Sequence, residues 1–156
     1  MIFKVRDLSE KDIEFVSEVY SENIEVLHGA LISLNDWEEC FCSNTDDDER
    51  NFIVLVNNEK AAWLKLNGLH NDHIYISMLV VRKKFQHRGI GSFAVRFAEN
   101  FAKDLKKNSI FILTTDDNMT AKGCYEKLGY TVDKRIRYTL GDGIERDGVV
   151  FRKEIT

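Results

Sequence analysis

The chain has 156 residues, 44% of them hydrophobic and 31% charged, with a formal net charge of -4. These values predict one globular domain spanning 1–156 and argue against broad electrostatic binding to nucleic acid or to an anionic membrane. No apolar run approaches the ~20 residues of a membrane span. Three cysteines, few and uneven in number, are typical of a protein in a reducing compartment, so we expect a cytoplasmic protein.

Hydrophobic periodicity and turn residues predict a series of strands and helices without internal repeats or linkers. In chain order they are a strand at 2–5, helices at 10–28 and 33–42, a hairpin with strands at 52–56 and 61–66, a strand at 73–81, a helix at 89–107, a strand at 110–113, a helix at 118–128, and strands at 130–139 and 148–155. This order predicts an α/β fold in which a mixed central sheet of about seven strands carries about four helices on its two faces.

The segment Gln86-His87-Arg88-Gly89-Ile90-Gly91-Ser92 places two glycines at the start of the predicted long helix. A helix N-terminus offers backbone N–H groups without internal partners and the positive end of the helix dipole, and glycine lets a ligand approach that backbone. Arg82, Lys83, Lys84 and Arg88 add local positive charge to a chain whose net charge is -4. The segment therefore predicts a binding site for phosphate, and best for a pyrophosphate.

Two common phosphate motifs fit this segment poorly. Gly89-x-Gly91-x-x-Ala94 matches the dinucleotide fingerprint, and Asp116 lies where a ribose-binding acid would fall. That fingerprint needs its first glycine in a tight turn directly after the strand, whereas the seven residues 82–88 intervene here. The P-loop motif is absent, since no Gly-Lys-Ser/Thr follows the glycines.

A third pattern fits better. Gln86-x-x-Gly89-x-Gly91, following Met78-Leu79-Val80-Val81, resembles motif A of the GNAT superfamily of N-acetyltransferases, and Asn118-x-x-Ala121-x-x-x-Tyr125-x-x-x-Gly129-Tyr130 resembles its motif B. The two motifs occur in the family's order with a strand between them, although the proline that the family usually has near Lys83 is missing. The resemblance implies a GNAT-like acyl-CoA N-acyltransferase fold and acetyl-CoA as the acyl donor.

The resemblance also implies roles for individual positions. The implied coenzyme-binding residues lie on the strand, the glycine segment and the next helix: Leu79, Val80, Val81, Gln86, His87, Arg88, Gly89, Ile90, Gly91, Ser92, Asn118 and Tyr125. The strand residues would pair through their backbone with the pantetheine arm, as a strand pairs with an extended peptide, and N–H groups near Val80 would stabilise the oxyanion. Backbone amides from His87 to Ser92 would hold the pyrophosphate, assisted by the side chain of Gln86 or Arg88. Asn118 would bind the pantetheine region.

The implied catalytic residues are Tyr125, His73 and Tyr75. Tyr125 follows Asn118 by seven residues, so both project from one face of the helix, and the family's tyrosine at this position donates a proton to the leaving thiolate. Strand alternation puts His73, Tyr75, Ser77 and Leu79 on one face, the region where family members often carry the general base. With no carboxylate in that row, we expect His73 to assist deprotonation of the amine and Tyr75 to relay through water, the alternative being a histidine that only caps the strand.

Other residues have a structural alternative beside a functional one. Trp37 and Trp63 could lie in the core or line an acceptor pocket. The acidic residues near Trp37 and in 44–49 could be solvent-exposed or could surround a cationic substrate; they are Asp36, Glu38, Glu39 and the acids of that segment. His28 and His70 have no partner at metal-ligand spacing, so we expect no metal. Cys124 is expected to be a small buried residue rather than a nucleophile.

We therefore expect an acetyl-CoA-dependent N-acetyltransferase that transfers an acetyl group to a primary amine of a small molecule by direct attack in a ternary complex. A protein or peptide N-acetyltransferase acting on an N-terminus or lysine, and a non-catalytic acyl-CoA-binding module, are the alternatives. The resemblance also allows a homodimer, since dimers are common in the family.

Overall fold

The computed structural model describes residues 1–42 and 47–155. In chain order these residues form β1 (Phe3–Asp7), a 3-10 turn (Glu10–Asp12), α1 (Ile13–Glu22), α2 (Ile24–Leu27), α3 (Leu34–Cys42), β2 (Glu49–Val56), β3 (Glu59–Asn67), β4 (His73–Val81), a 3-10 turn (Lys83–Phe85), α4 (Ile90–Asp104), β5 (Ser109–Thr115), α5 (Met119–Lys127), β6 (Thr131–Thr139) and β7 (Glu145–Glu154). The predicted mixed sheet of seven strands is confirmed. Within the described ranges, no helix is long and apolar enough to cross a membrane.

The sheet has the strand order β1-β2-β3-β4-β5-β7-β6, and β4 and β5 are its parallel pair. These two strands pair only from His73 opposite Ser109 to Ile76 opposite Ile112, and beyond that point they separate. β7 inserts between β5 and β6, pairing antiparallel with both. A gap therefore opens at the centre of the sheet, on the carboxyl side of the parallel pair.

Helices cover both faces of the sheet. On one face α4 and α5 pack through a cluster that includes Val95, Ala98, Ala102 and Tyr125, whose α4 members recur at helical spacing. On the other face α1 and α3 pack over β2, β3 and β4 through a second cluster that includes Val16, Val19, Trp37, Trp63 and Val80. Burying each such large apolar side chain stabilises the fold by roughly 1.5–3 kcal/mol. The two clusters therefore hold the helices against the two faces of the sheet.

The helix predicted at 10–28 is interrupted at Asn23. A capping box at Ser9 starts it, with the Ser9 N–H donating to the Asp12 carboxylate at 2.8 Å. Asn23, 7% exposed, ends α1, and its side-chain amide donates to the carbonyls of Val19 at 2.9 Å and Val81 at 3.1 Å. A buried polar side chain that satisfies both helix and strand carbonyls thus divides the predicted helix into α1 and α2.

A β-bulge in β4 changes which residues share a face. Lys65 pairs with Met78 and the next residue, Leu66, pairs with Ile76, so Ser77 is an extra residue on β4. Ile74 and Ile76 pack toward α4 and α5 before the bulge, and Leu79 packs toward the same side after it. The prediction that Leu79 shares a face with His73 and Tyr75 is therefore wrong, because the extra residue reverses the alternation.

Candidate active site

The gap between β4 and β5 holds a cavity of about 530 Å³, within the range of small-molecule sites. Residues 75–79 of β4 and 112–115 of β5 line it, together with Asn118 and Tyr125 of the α5 region. The α1–α2 segment and the turn after β6 complete its walls through Tyr20, Leu27, Gly29, Tyr138, Leu140 and Gly141. The structure therefore brings Tyr75, Leu79, Asn118 and Tyr125 of the predicted site into one cavity.

The glycine segment forms an open helix N-terminus. His87 and Gly89 both adopt left-handed backbone, with φ of 62° and 86°, and Gly89 is the N-cap of α4. A Cβ added at Gly89 or at Gly91 would meet no atom within 4 Å, so open space lies against the first turn of the helix. This geometry fits an anion approaching the free N–H groups.

The basic cluster around this segment is partly neutralised. Arg82 pairs with Glu18 at 3.2 Å, and Lys84 pairs with Glu59 at 2.9 Å. Arg88 is exposed at the start of the glycine turn. Two of the four predicted cations therefore contact α1 and β3, which leaves the exposed Lys83 and Arg88, together with the backbone N–H groups, to meet an anion.

Gln86 has a different partner from the one expected. Its side-chain amide donates to the Asn23 side-chain oxygen at 2.9 Å and to the Val81 carbonyl at 3.0 Å. Because both amide hydrogens are engaged inside the protein, Gln86 anchors the segment, and Arg88 is the better placed of the two for a phosphate.

The strand edge that faces the cavity is only partly free. Within the described residues, β5 stops pairing with β4 at Ile76, so on that side 77–81 has no strand partner. The Val81 carbonyl, however, accepts the amides of Asn23 and Gln86. In an antiparallel ladder alternate residues face the same neighbour, and the Arg82 N–H donates to the Ala61 carbonyl of β3 at 2.7 Å, so the Val80 backbone groups also face β3. Leu79 is therefore the residue best placed to pair through its backbone with an extended ligand.

Asn118 and Tyr125 lie at the far wall of the cavity. The Asn118 side-chain oxygen caps α5 by accepting the Ala121 N–H at 3.2 Å, and Asn118 also lines the cavity. Burial, with a smaller contribution from neighbouring Cys124, raises the pKa of Tyr125 to about 12. Tyr125 is therefore a neutral phenol at physiological pH, the form that can donate a proton.

His73 does not line the cavity, whereas Tyr75 does. The His73 ring packs edge-on against Tyr75, with 4.9 Å between centroids, and against Phe111, at 5.0 Å. His73 therefore contacts one cavity residue, Tyr75, without lining the cavity itself.

The cavity wall formed by the α1–α2 segment and the β6–β7 turn was not predicted from the sequence. Asp142 N–H donates to the His28 carbonyl at 3.1 Å, which ties the two loops together. A Cβ at Gly141 would lie 2.9 Å from the Ala30 nitrogen, and a Cβ at Gly29 would overlap the Tyr20 hydroxyl. At both positions another part of the chain lies too close for a side chain, so glycine is favoured there. The small residues in both loops were a sequence signal from which this close approach could have been predicted.

The remaining candidates that the structure describes do not line the cavity. Trp37 and Trp63 are buried in the core, with their rings 5.7 Å apart, while the acids beside Trp37 are exposed and do not line the cavity: Asp36, Glu38 and Glu39. The acidic segment lies outside the described residues at 44–46. Its described part is a turn in which the Asp48 carboxylate accepts the N–H groups of Gly68 and His70.

Cys124 is half-buried, with its sulfur 3.8 Å from the Ser92 hydroxyl, as expected of a packing residue. His28 and His70 each contact an aspartate, Asp117 and Asp47 respectively. Across 1–42 and 47–155, no group of three or more potential metal ligands is found.

The sequence and the fold both resemble known acetyltransferases. The sequence profile of the acetyltransferase (GNAT) family matches residues 13–130. A relative named as an uncharacterized N-acetyltransferase in the pepI 3′ region of Lactobacillus delbrueckii subsp. lactis is 26% identical, across 92% of this chain and 93% of its own length.

Two solved structures share the fold at low sequence identity. Spermidine N-acetyltransferase from Vibrio cholerae, in complex with CoA and spermine, superposes with a TM-score of 0.87 at 15% identity, covering 98% of this chain and 95% of its own. The ribosomal-protein-S18-alanine N-acetyltransferase from Escherichia coli superposes with a TM-score of 0.77 at 20% identity, covering 99% and 95%. With the profile spanning the glycine segment, Tyr125 and most of the chain, this protein belongs to the acetyltransferase (GNAT) family and is an N-acetyltransferase.

Proposed function

We propose that the enzyme transfers the acetyl group of acetyl-CoA to a primary amine of a small molecule, by direct attack within a ternary complex. The observation that carries this proposal is the single cavity of about 530 Å³ that joins Asn118 and Tyr125 to the wall formed by the two tied loops. One side of the cavity suits the thioester end of the coenzyme, and the two tied loops line the other side, where the amine would bind.

The residues present fit the coenzyme. The N–H groups at the start of α4 face open space beside Gly89 and Gly91, which suits a pyrophosphate, and Arg88 adds a positive charge. The free edge at Leu79 suits the amides of the pantetheine arm. When bound, acetyl-CoA supplies the activated acyl group that the amine attacks.

This chain's own groups then perform three tasks. The β4 edge and the α4 N-terminus hold the donor while the loop wall holds the acceptor, which converts an encounter in solution into an oriented reaction. A backbone N–H near Val80 stabilises the negative charge that develops on the carbonyl oxygen. Tyr125, kept protonated by its raised pKa, donates to the departing sulfur.

The test is an acceptor screen in which release of the free CoA thiol is measured with acetyl-CoA and a panel of amines. The panel contains small primary amines, peptides with free N-termini and peptides with an internal lysine. Thiol release with small amines is the expected result. Release with peptides alone would replace the proposed acceptor by a protein, and no release with any amine would refute the proposed function.

A further inference from the structure

The described walls of the cavity carry no ionisable side chain other than tyrosine. Where 1–42 and 47–155 line it, no aspartate, glutamate, histidine, lysine or arginine is present. The acceptor side is built from Tyr20, Leu27, Tyr75, Leu113, Tyr138 and Leu140. Burial raises the pKa of Tyr20 and of Tyr138, with a further contribution to Tyr138 from Asp117, so both phenols are neutral at physiological pH.

Three carboxylates that follow the cavity strands already have basic partners. They are Asp116, Asp117 and Asp142, which follow β5 and β6 directly. Their contacts are Lys122 and Arg135 for Asp116, His28 for Asp117 and Arg146 for Asp142, at 2.8–3.2 Å. A second or third ammonium group entering the cavity would therefore find oxygen atoms of phenols and of the backbone along the described walls, and no lining carboxylate. Glu25, next to Val26, is exposed to solvent and does not line the cavity.

This lining discriminates between amines by desolvation. A polyamine carries several ammonium groups, and each one that leaves water without an opposite charge costs free energy. An amine with a neutral, apolar body loses only one hydrated charge and gains from burying its apolar surface. Transfer from water into the apolar cavity also lowers the pKa of that single ammonium, which increases the fraction of the neutral, nucleophilic amine.

We propose that the acceptor is a primary monoamine whose amine is attached to a neutral aromatic or aliphatic body. This inference rests on the proposed function, because it assigns the acceptor of the same cavity. It separates this enzyme in substrate class from the Vibrio cholerae structure, which is named as a spermidine N-acetyltransferase and contains spermine.

The test compares kcat/KM for phenethylamine and hexylamine with kcat/KM for putrescine and spermidine, at one pH and at saturating acetyl-CoA. We expect the monoamines to be preferred by at least about tenfold, since a single poorly compensated charge readily changes affinity by that factor. Equal or better turnover of spermidine or putrescine would overturn the inference while leaving the proposed function standing. Failure of all amines to release thiol would instead refute the proposed function.

A charge-introducing variant checks the physical cause. Val26 lines the cavity and is 54% exposed, so Val26→Glu adds a carboxylate at the rim without burying it. We expect this variant to reduce the monoamine preference several-fold. Leu31→Glu is the matched control, since Leu31 is 85% exposed and does not line the cavity, and its preference should equal that of the wild type. Identical ratios in Val26→Glu and Leu31→Glu would show that the charge of the cavity does not select the acceptor.

Discussion

Asn23 connects the α1–α2 segment, strand β4 and the glycine segment, and its replacement by alanine is a direct test of that connection. The side chain takes part in three hydrogen bonds, to the carbonyls of Val19 and Val81 and from the amide of Gln86. Each buried hydrogen bond contributes about 1 kcal/mol net. Val81 keeps its bond from Gln86 at 3.0 Å, so the loss is somewhat less than three full bonds.

We therefore expect Asn23→Ala to lower the free energy of unfolding by about 2–3 kcal/mol. For a chain of this size that corresponds to a fall in Tm of roughly 4–12 °C, measured by thermal unfolding followed by circular dichroism. Because Gln86 loses one of two anchors, we also expect KM for acetyl-CoA to rise more than KM for the amine. Asn23→Asp should be more damaging than Asn23→Ala, since an ionised carboxylate would face the carbonyls of Val19 and Val81 without a hydrogen to donate.

The control is Asn100→Ala, which changes an exposed asparagine on α4 and should leave both Tm and KM close to wild type. A Tm for Asn23→Ala equal to that of Asn100→Ala would refute the energetic argument. A lowered Tm with an unchanged KM for acetyl-CoA would refute the link from Asn23 to the coenzyme site.

Three further predictions follow from single contacts. Tyr125→Phe keeps the buried ring and removes the donor, so kcat should fall roughly 10²-fold at unchanged far-UV circular dichroism. Gly141→Ala places a Cβ 2.9 Å from the Ala30 nitrogen, so it should cost about 1–3 kcal/mol in urea unfolding and raise KM for the amine more than for acetyl-CoA. Asp12 is fully buried, which alone would raise its pKa, but hydrogen bonds from Arg6 and Lys60 hold the pKa far below the ordinary value. Asp12→Asn should therefore lower stability at neutral pH and lower it much less at a pH well below the unfolded pKa of about 3.9, as urea unfolding at the two pH values would show.

A different measured result would contradict each of these three predictions. An unchanged kcat in Tyr125→Phe would exclude the phenol as the donor. Gly123→Ala is the control for Gly141→Ala, because a Cβ there meets nothing within 4 Å and should be neutral or stabilising in helix α5. For Asp12 the sign is set by its depressed pKa in the folded state. Its contribution to stability is fully present above the unfolded pKa of about 3.9 and is lost as the pH falls from there through the folded pKa. A destabilisation by Asp12→Asn that grows over this acid range would contradict the ion-pair argument.

Sequence reasoning succeeded where local pattern dictates structure. The periods of apolar residues predicted the seven strands and the long amphipathic helix, because burial on one face imposes a repeat of two or near 3.6 residues. Glycines before a helix predicted an open N-terminus at Gly89 and Gly91, and the resemblance to two motifs correctly indicated the family. These features depend on residues close together in the chain.

What the sequence left open involves contacts between distant residues. The bulge at Ser77 reverses one face of β4, and the end of β4–β5 pairing at Ile76 and Ile112 opens the sheet. Neither feature has a local signal. The Gln86 amide is engaged by Asn23, and Arg82 and Lys84 by glutamates of other elements, because a polar group finds its partner only once the chain has packed. Tertiary structure therefore decided the ion pairs around the glycine segment and the neutral character of the wall formed by the two tied loops. The glycine segment itself, with its open helix N-terminus, could be predicted from the order of its residues.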